Sequence, residues 1–373
     1  MSRHQLLTRL AKYFQVVWVN PSRTWRQILR RHDDFTTGLD STPSFSVYDP
    51  QFLFRFYRPK WLGDRIESRR LQNARNVLIH KGCEKIVLYF WRPEFARALD
   101  LLSYELSCYH IVDEYSFCEN EQPLLEEERN LINRVDQVFV SSPGLFDKKG
   151  RLNPNTDIVP NGVDYKSFSE SAVEPVDLQG VPHPRVGYVG FLKKMLDWEL
   201  LAYLSGKHTS WSFVLVGGAL NHAEVIAGMK ALSMRPNVYF LGAKLTRDLS
   251  SYPQHFDVCI MPYRTTGYSN YVYPLKLHEY LASGRPVVGS QIRTLDNHKN
   301  VISLAGSFEE WSAALAKALE EPDNNKRQRQ AVAQTHDWDL LSEKVARILG
   351  RHLGITMDDP RVKGPEYEDV GVL

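Results

Sequence analysis

Apolar residues along this chain alternate between two periods. Short runs such as Val16, Val17, Trp18 and Val19 within 15–20, and those at 85–89, 110–112 and 137–141, read as buried strands. Between them the spacing turns helical. Leu6, Leu7, Leu10, Ala11 and Phe14 share one face among charges, and 92–102 and 124–134 read as crossover helices. Alternating β and α over residues 1–165 implies one domain with a largely parallel sheet. It opens on a helix with no strand before it, so its first strand is expected to be missing, shortened or upstream of Met1.

Asn161-Gly162, Pro175, Gly180, Pro182 and Pro184 break the periodicity, and 166–184 is read as a linker. A second α/β domain follows over 185–335. Its strands at 185–189, 212–216 and 237–241 end at Gly190, Gly217-Gly218 and Gly242, and 257–261 ends at Pro262. Successive strand-glycine turns set backbone N–H groups along one sheet edge, where doubly wound folds bind ligands. A single glycine here reads first as a tight turn; the succession, followed by the helix after Pro274, is what points to a nucleotide. Residues 309–320 and 336–354 read as amphipathic helices, and 355–373 as a tail.

Composition narrows the setting. The 373 residues carry a net charge of +2, yet residues 1–81 hold fifteen Lys or Arg against six Asp or Glu, about +9 by difference. Cys83, Cys108, Cys118 and Cys259 form no C-x-x-C pair, which fits reduced thiols and a cytoplasmic setting. No run approaches the roughly 20 apolar residues of a membrane span. Phe52–Trp61 interleaves aromatics with cations, and Arg65, Arg69, Arg70 and Arg75 extend the charge. This suits an anionic membrane surface on which the protein would be peripheral, or a lipid-linked acceptor; buried aromatics under a solvated basic face is the plain alternative. Nucleic acid is not the expected partner.

The densest chemistry lies in 273–288. Pro274 can open a helix, Gly284 can close it in a left-handed turn, and Lys276 and Glu279 share a face opposite Leu277, Tyr280 and Leu281. Free N–H groups, the helix dipole and the Lys276 ammonium could hold a diphosphate while Glu279 accepts ribose hydroxyls. The competing reading is an exposed i, i+3 ion pair contributing about 0.2–0.5 kcal/mol. Asp337-Trp-Asp339 has the form of a metal-binding D-x-D but stands where a helix cap is expected. No metal motif is found, and neither metal nor cofactor is expected.

These residues resemble the GT-B glycosyltransferases, particularly glycosyltransferase family 4 and related bacterial cell-surface polysaccharide transferases. Val159-Pro-Asn-Gly-Val-Asp164 is similar to the element ending the family's first domain, Val186-Gly-Tyr-Val-Gly190 to its phosphate loop, and Pro274–Val288 to its P-x-K-x-x-E-Y-x-A-x-G-x-P-V-V signature. The resemblance implies two Rossmann-like domains facing a cleft, and a C-terminal helix crossing back to the first. It also implies a sugar moved from a nucleoside diphosphate to a saccharide or lipid-linked acceptor in cell-envelope or exopolysaccharide synthesis. Donor contacts are expected from Gly190, Gly242, Ala243, Arg264, Tyr271, Leu275, Lys276 and Glu279. Many family 4 enzymes carry a second glutamate where this chain has Tyr271, which leaves retention or inversion open. An inverting reaction needs a base, for which Asp113, after the 110–112 strand, is the candidate; a turn cap is its alternative. A nucleotide-sugar epimerase or hydrolase, or a non-catalytic nucleotide-sugar-binding scaffold, would share the donor features.

Overall fold

The computed structural model describes residues 2–21, 41–49, 60–115, 121–320, 325–355 and 370–373. Most of the aromatic, basic 52–61 segment and Cys118 lie outside the described residues. In chain order the first domain contributes β1 (Gln15–Val19), β2 (Phe45–Tyr48), β3 (Lys85–Phe90), β4 (Leu106–Ile111), β5 (Gln137–Val140) and β6 (Thr156–Ile158). The second contributes β7 (Arg185–Val189), β8 (Ser212–Val216), β9 (Val238–Gly242), β10 (Val258–Met261), β11 (Val287–Ser290) and β12 (Ser303–Ala305). A last strand, β13 (Val370–Val372), returns to the first sheet.

Both sheets are parallel, with orders β2-β1-β13-β3-β4-β5-β6 and β12-β11-β10-β7-β8-β9. The chain leaves β7 through β8 and β9 on one side and comes back to β10 on the other. This reversal opens a crevice at the carboxyl end of β7, the ligand position of doubly wound sheets.

The tail reading of 355–373 is corrected at its end. Val370 and Val372 pair with Lys85 and Val87, and Gly371 with Gln15, so β13 occupies the slot beside β3 for which the opening helix supplies no strand. Two β-branched residues satisfy the backbone edges of β1 and β3, and Val372 is buried. Gly371 permits close packing: a Cβ there would come within 2.6 Å of Leu78.

Helix Ser2–Leu10 buries Leu6, Leu7 and Leu10 against Leu341, Val345, Ala346 and Leu349 of helix Trp338–His352, which crosses from the second domain back to the first. Asp337 caps that crossing helix, accepting from the N–H of Asp339 at 2.6 Å and of Tyr165 at 3.0 Å. Asp339 pairs with Arg9 at 3.0 Å and Lys12 at 2.7 Å. Helix Lys60–His80 has no counterpart in the periodicity, because charges interrupt its buried stripe of Leu71, Ala74 and Leu78. The crossover helix expected over 92–102 breaks into a 3-10 turn at Pro93–Phe95 and one α turn at Ala98–Leu101. Helix Lys326–Gln334 lies between the two helices expected over 309–320 and 336–354, and its buried Arg329 donates to the Gly284 carbonyl at 3.0 Å.

Candidate active site

Helix Leu275–Ser283 starts after Pro274 and ends at Gly284, whose φ of +76° is the left-handed closure its sequence suggests. Leu277, Tyr280 and Leu281 are fully buried, which fixes the rotation of the helix beneath β7. The Tyr280 hydroxyl accepts from the Val189 N–H at 2.8 Å and ties the helix to the last residue of β7. Gly190 follows with φ +143°, a conformation that side chains rarely adopt. The Lys276 ammonium lies against it, 2.3 Å from where a Cβ on Gly190 would stand, and 4.9 Å from the Tyr188 ring centroid.

Glu279 is half-buried one helical turn on. Burial raises its carboxyl above the ordinary value, and the nearby charge of Lys276 opposes that rise. Among the described residues, neither side chain forms an ion pair or a hydrogen bond within the protein. The i, i+3 ion pair is therefore not what occupies them. A cation and a carboxylate, held in place by a buried helix face and left without hydrogen-bonding partners, can meet negative charge and hydroxyls on one ligand.

Neighbouring strand ends complete this wall. Gly217, at φ +146°, lets its loop pass so close that a Cβ would stand 2.2 Å from the Gly190 carbonyl oxygen. The Leu192 N–H donates to Gly218 at 2.8 Å and the Leu220 N–H to Leu192 at 2.9 Å, so the loops after β7 and β8 run on together. Gly242 and Ala243 stand at the end of β9, where the Gly242 carbonyl accepts from the Gly217 N–H at 2.9 Å. Three other candidates point elsewhere. Arg264 is paired with Glu224, Leu275 packs on the first domain's core, and Tyr271 turns toward the first domain, donating to Glu121 beneath Lys148.

Asp113 stands just beyond β4, on the facing wall. Its carboxylate accepts from the Glu114 N–H at 2.9 Å, the turn contact its position suggests, and also from the hydroxyl of Tyr268. Tyr268 belongs to the second domain's 3-10 turn Gly267–Asn270, so this hydrogen bond spans the cleft. Burial first, then the charge of Asp113, raises the Tyr268 phenol far above its ordinary range and keeps it a donor. Ser142 donates to the Tyr271 carbonyl at 2.7 Å and Asn161 to the Tyr273 carbonyl at 2.7 Å, fastening the same loop to the first domain. Nearby His110 stacks on Trp91 with centroids 4.4 Å apart, and burial pushes its pKa down to about 3.

Gly190, Lys276 and Glu279 are thus brought together, Gly242 and Ala243 stand at an adjacent strand end, and Asp113 meets the second domain at Tyr268. Tyr188 and Tyr268 carry no mark of a site role in the sequence, and Tyr280 reads there only as part of the helix's apolar face. Their roles depend on partners far along the chain, which no local pattern marks.

Residues 183–321 match the family Glycosyl transferases group 1. TuaH of Bacillus subtilis (strain 168), which carries the name of a putative teichuronic acid biosynthesis glycosyltransferase, is 28% identical over 377 residues, covering 93% of this chain and 92% of its own. Among solved structures, a glycosyltransferase from Rickettsia africae ESF-5 superposes with a TM-score of 0.65 at 12% identity, covering 91% of this chain and 99% of its own. The E. coli trehalose-6-phosphate structure bound with UDP-2-fluoro glucose gives 0.62 at 15% identity, covering 89% and 98%. The matched domain holds the Gly190–Lys276–Glu279 wall, and the likeness in fold extends over both sheets. The chain is a glycosyltransferase of the GT-B fold.

Proposed function

We propose that this protein transfers a hexose-type sugar from a nucleoside diphosphate to a saccharide or lipid-linked acceptor in cell-envelope polysaccharide synthesis. The observation that carries the reading is the unpaired Lys276 and Glu279 beside Gly190, set in the crevice at the end of β7. Lys276, seated beside Gly190, stabilises the departing diphosphate, and Glu279 receives the ribose hydroxyls. Charge grows on that diphosphate as the sugar–oxygen bond breaks, so donors fixed beforehand favour the transition state without a metal or other cofactor. Asp113 takes the acceptor: its carboxylate accepts the hydrogen bond of the attacking hydroxyl and, in an inverting transfer, its proton. The envelope setting is supported by the likeness to TuaH over nearly the whole of both chains.

The test is release of nucleoside diphosphate from UDP-, GDP- and dTDP-sugars, with and without a free disaccharide or a polyprenyl-diphosphate disaccharide. Acceptor-dependent release is expected. Equal release from donor alone would favour the hydrolase or epimerase reading, and binding without turnover the scaffold.

Attachment to an anionic membrane surface is favoured by one face of helix Lys60–His80. Trp61, 66% exposed, is followed at i+4 and i+8 by Arg65 and Arg69. No described helix is long and apolar enough to cross a membrane. Flotation with phosphatidylglycerol liposomes is expected to exceed that with phosphatidylcholine and to fall for Trp61→Ser; lipid-independent behaviour would remove the attachment.

A further inference from the structure

Behind the Asp113 wall lies a buried charge network that the transfer chemistry itself does not use. Lys149 is fully buried at the end of helix Pro143–Lys148, and its ammonium lies 2.8 and 3.0 Å from the two carboxylate oxygens of Glu128. It also lies 3.2 Å from a carboxylate oxygen of Glu114, the residue next to Asp113. Glu128 accepts further from the Tyr109 hydroxyl at 2.9 Å, and Lys148 approaches the other Glu114 oxygen at 3.4 Å. Glu114 and Glu128 are themselves buried, so these charges are costly to hold out of water unless they meet one another in this arrangement.

The helix carrying Lys149 also touches the second domain. Its cap, Ser142, donates to the Tyr271 carbonyl, and Gly144 lies so close to the same turn that a Cβ would stand 2.1 Å from the Asn270 carbonyl oxygen. One end of this short helix thus seats the turn that carries Tyr268, and the other grips the residue beside Asp113. The two partners of the cross-cleft hydrogen bond are located by a single strut.

We propose that Glu114 and Lys149 are positioning residues, whose buried ion pair sets the Asp113–Glu114 turn and so places the Asp113 carboxylate opposite Tyr268 for the acceptor. This rests on the reading of Asp113 as the acceptor-side carboxylate. Neither Glu114 nor Lys149 meets substrate; they act through Asp113.

Glu114→Gln keeps the shape and leaves Lys149 paired with Glu128, so it is the primary variant; Lys149→Met is the second. Both are measured beside Asp113→Asn and the Asp113→Asn/Glu114→Gln double variant. The readouts are acceptor-dependent nucleoside diphosphate release, UDP affinity by calorimetry, and thermal unfolding. For Glu114→Gln, kcat should fall about tenfold or more while the UDP Kd stays within about twofold, with Asp113→Asn falling about 100-fold or more and the double variant no lower than Asp113→Asn. If Asp113→Asn is slow but Glu114→Gln turns over like the parent, the positioning role is overturned and the reading of Asp113 stands. Losses that multiply in the double variant, or that fall equally on UDP affinity, also overturn it. Parent-like turnover by Asp113→Asn overturns the reading of Asp113, and the positioning role with it.

Discussion

Replacing Gly190 by alanine separates two contributions that meet at one atom. The new Cβ would lie 2.3 Å from both Cε and Nζ of Lys276, closer than any real contact, and the backbone there has φ +143°. Lys276 ends in a flexible chain and can swing aside at little steric cost; the backbone cannot. Holding a side chain in such a conformation costs about 1–3 kcal/mol, a shift of a few degrees or more in unfolding temperature. The swing moves the ammonium off its place over the Tyr188 ring. A charge-assisted hydrogen bond to a diphosphate is worth about 1.5–3 kcal/mol, so nucleotide affinity should drop by about 10- to 150-fold. Gly82→Ala is the control, because Gly82 has φ +90° and nothing lies within 4 Å of where its Cβ would stand. It should lower stability and leave affinity alone. Calorimetric titration of UDP, GDP and dTDP, with thermal unfolding of both variants, reads the two effects. If Gly190→Ala binds the parent's preferred nucleotide within about twofold, the ammonium beside Gly190 is not a diphosphate contact, and the reasoning fails.

Three further outcomes follow from the geometry. Burial raises the Glu279 carboxyl above its ordinary 4.5, so its contribution to stability is complete below that value and is lost as pH rises through the higher folded value. Glu279→Gln should therefore gain stability relative to the parent as pH climbs through that window; a relative loss in chemical denaturation would contradict the assignment. Gly144→Ala drives a Cβ to 2.1 Å from the Asn270 carbonyl oxygen, a backbone atom with no easy escape, and should cost about 1–3 kcal/mol in thermal unfolding while lowering kcat. Arg185→Met removes a buried guanidinium that donates to the carbonyls of Val181 at 2.8 Å and Leu178 at 2.9 Å; the Val181 carbonyl is left without a donor and Leu178 keeps only the Val181 N–H, which should cost about 1–3 kcal/mol by urea unfolding and leave UDP affinity unchanged.

The second domain was legible because its function uses local signals. Apolar strands stopping at Gly190, Gly217 and Gly242, and a helix bracketed by Pro274 and Gly284, specify both the sheet edge and the rotation of Lys276 and Glu279 within a few residues of chain. What escaped depends on distance along the chain. The short 370–372 run cannot announce that it will fill the slot between β1 and β3, since its pairing partners lie hundreds of residues away. Tyr271 shows the same limit from the other side. Its place near the signature suggests a donor contact, yet its ring is taken by Lys148 and its hydroxyl by Glu121 of the other domain. Arg264 is likewise claimed by Glu224, a pairing that no local pattern encodes. The Asp113–Tyr268 contact depends on the docking of two domains, so a carboxylate readable as a turn cap proves also to be a cross-cleft acceptor.

The central claim is that Lys276 and Glu279 hold a nucleoside diphosphate sugar. Its most direct measurement is calorimetric titration of UDP-, GDP- and dTDP-sugars into the parent and into Lys276→Ala and Glu279→Ala. At least one donor should bind the parent, and each substitution should weaken it by about tenfold or more, in keeping with the loss of a charged hydrogen-bonding partner. If both variants bind every donor as the parent does, the site lies elsewhere.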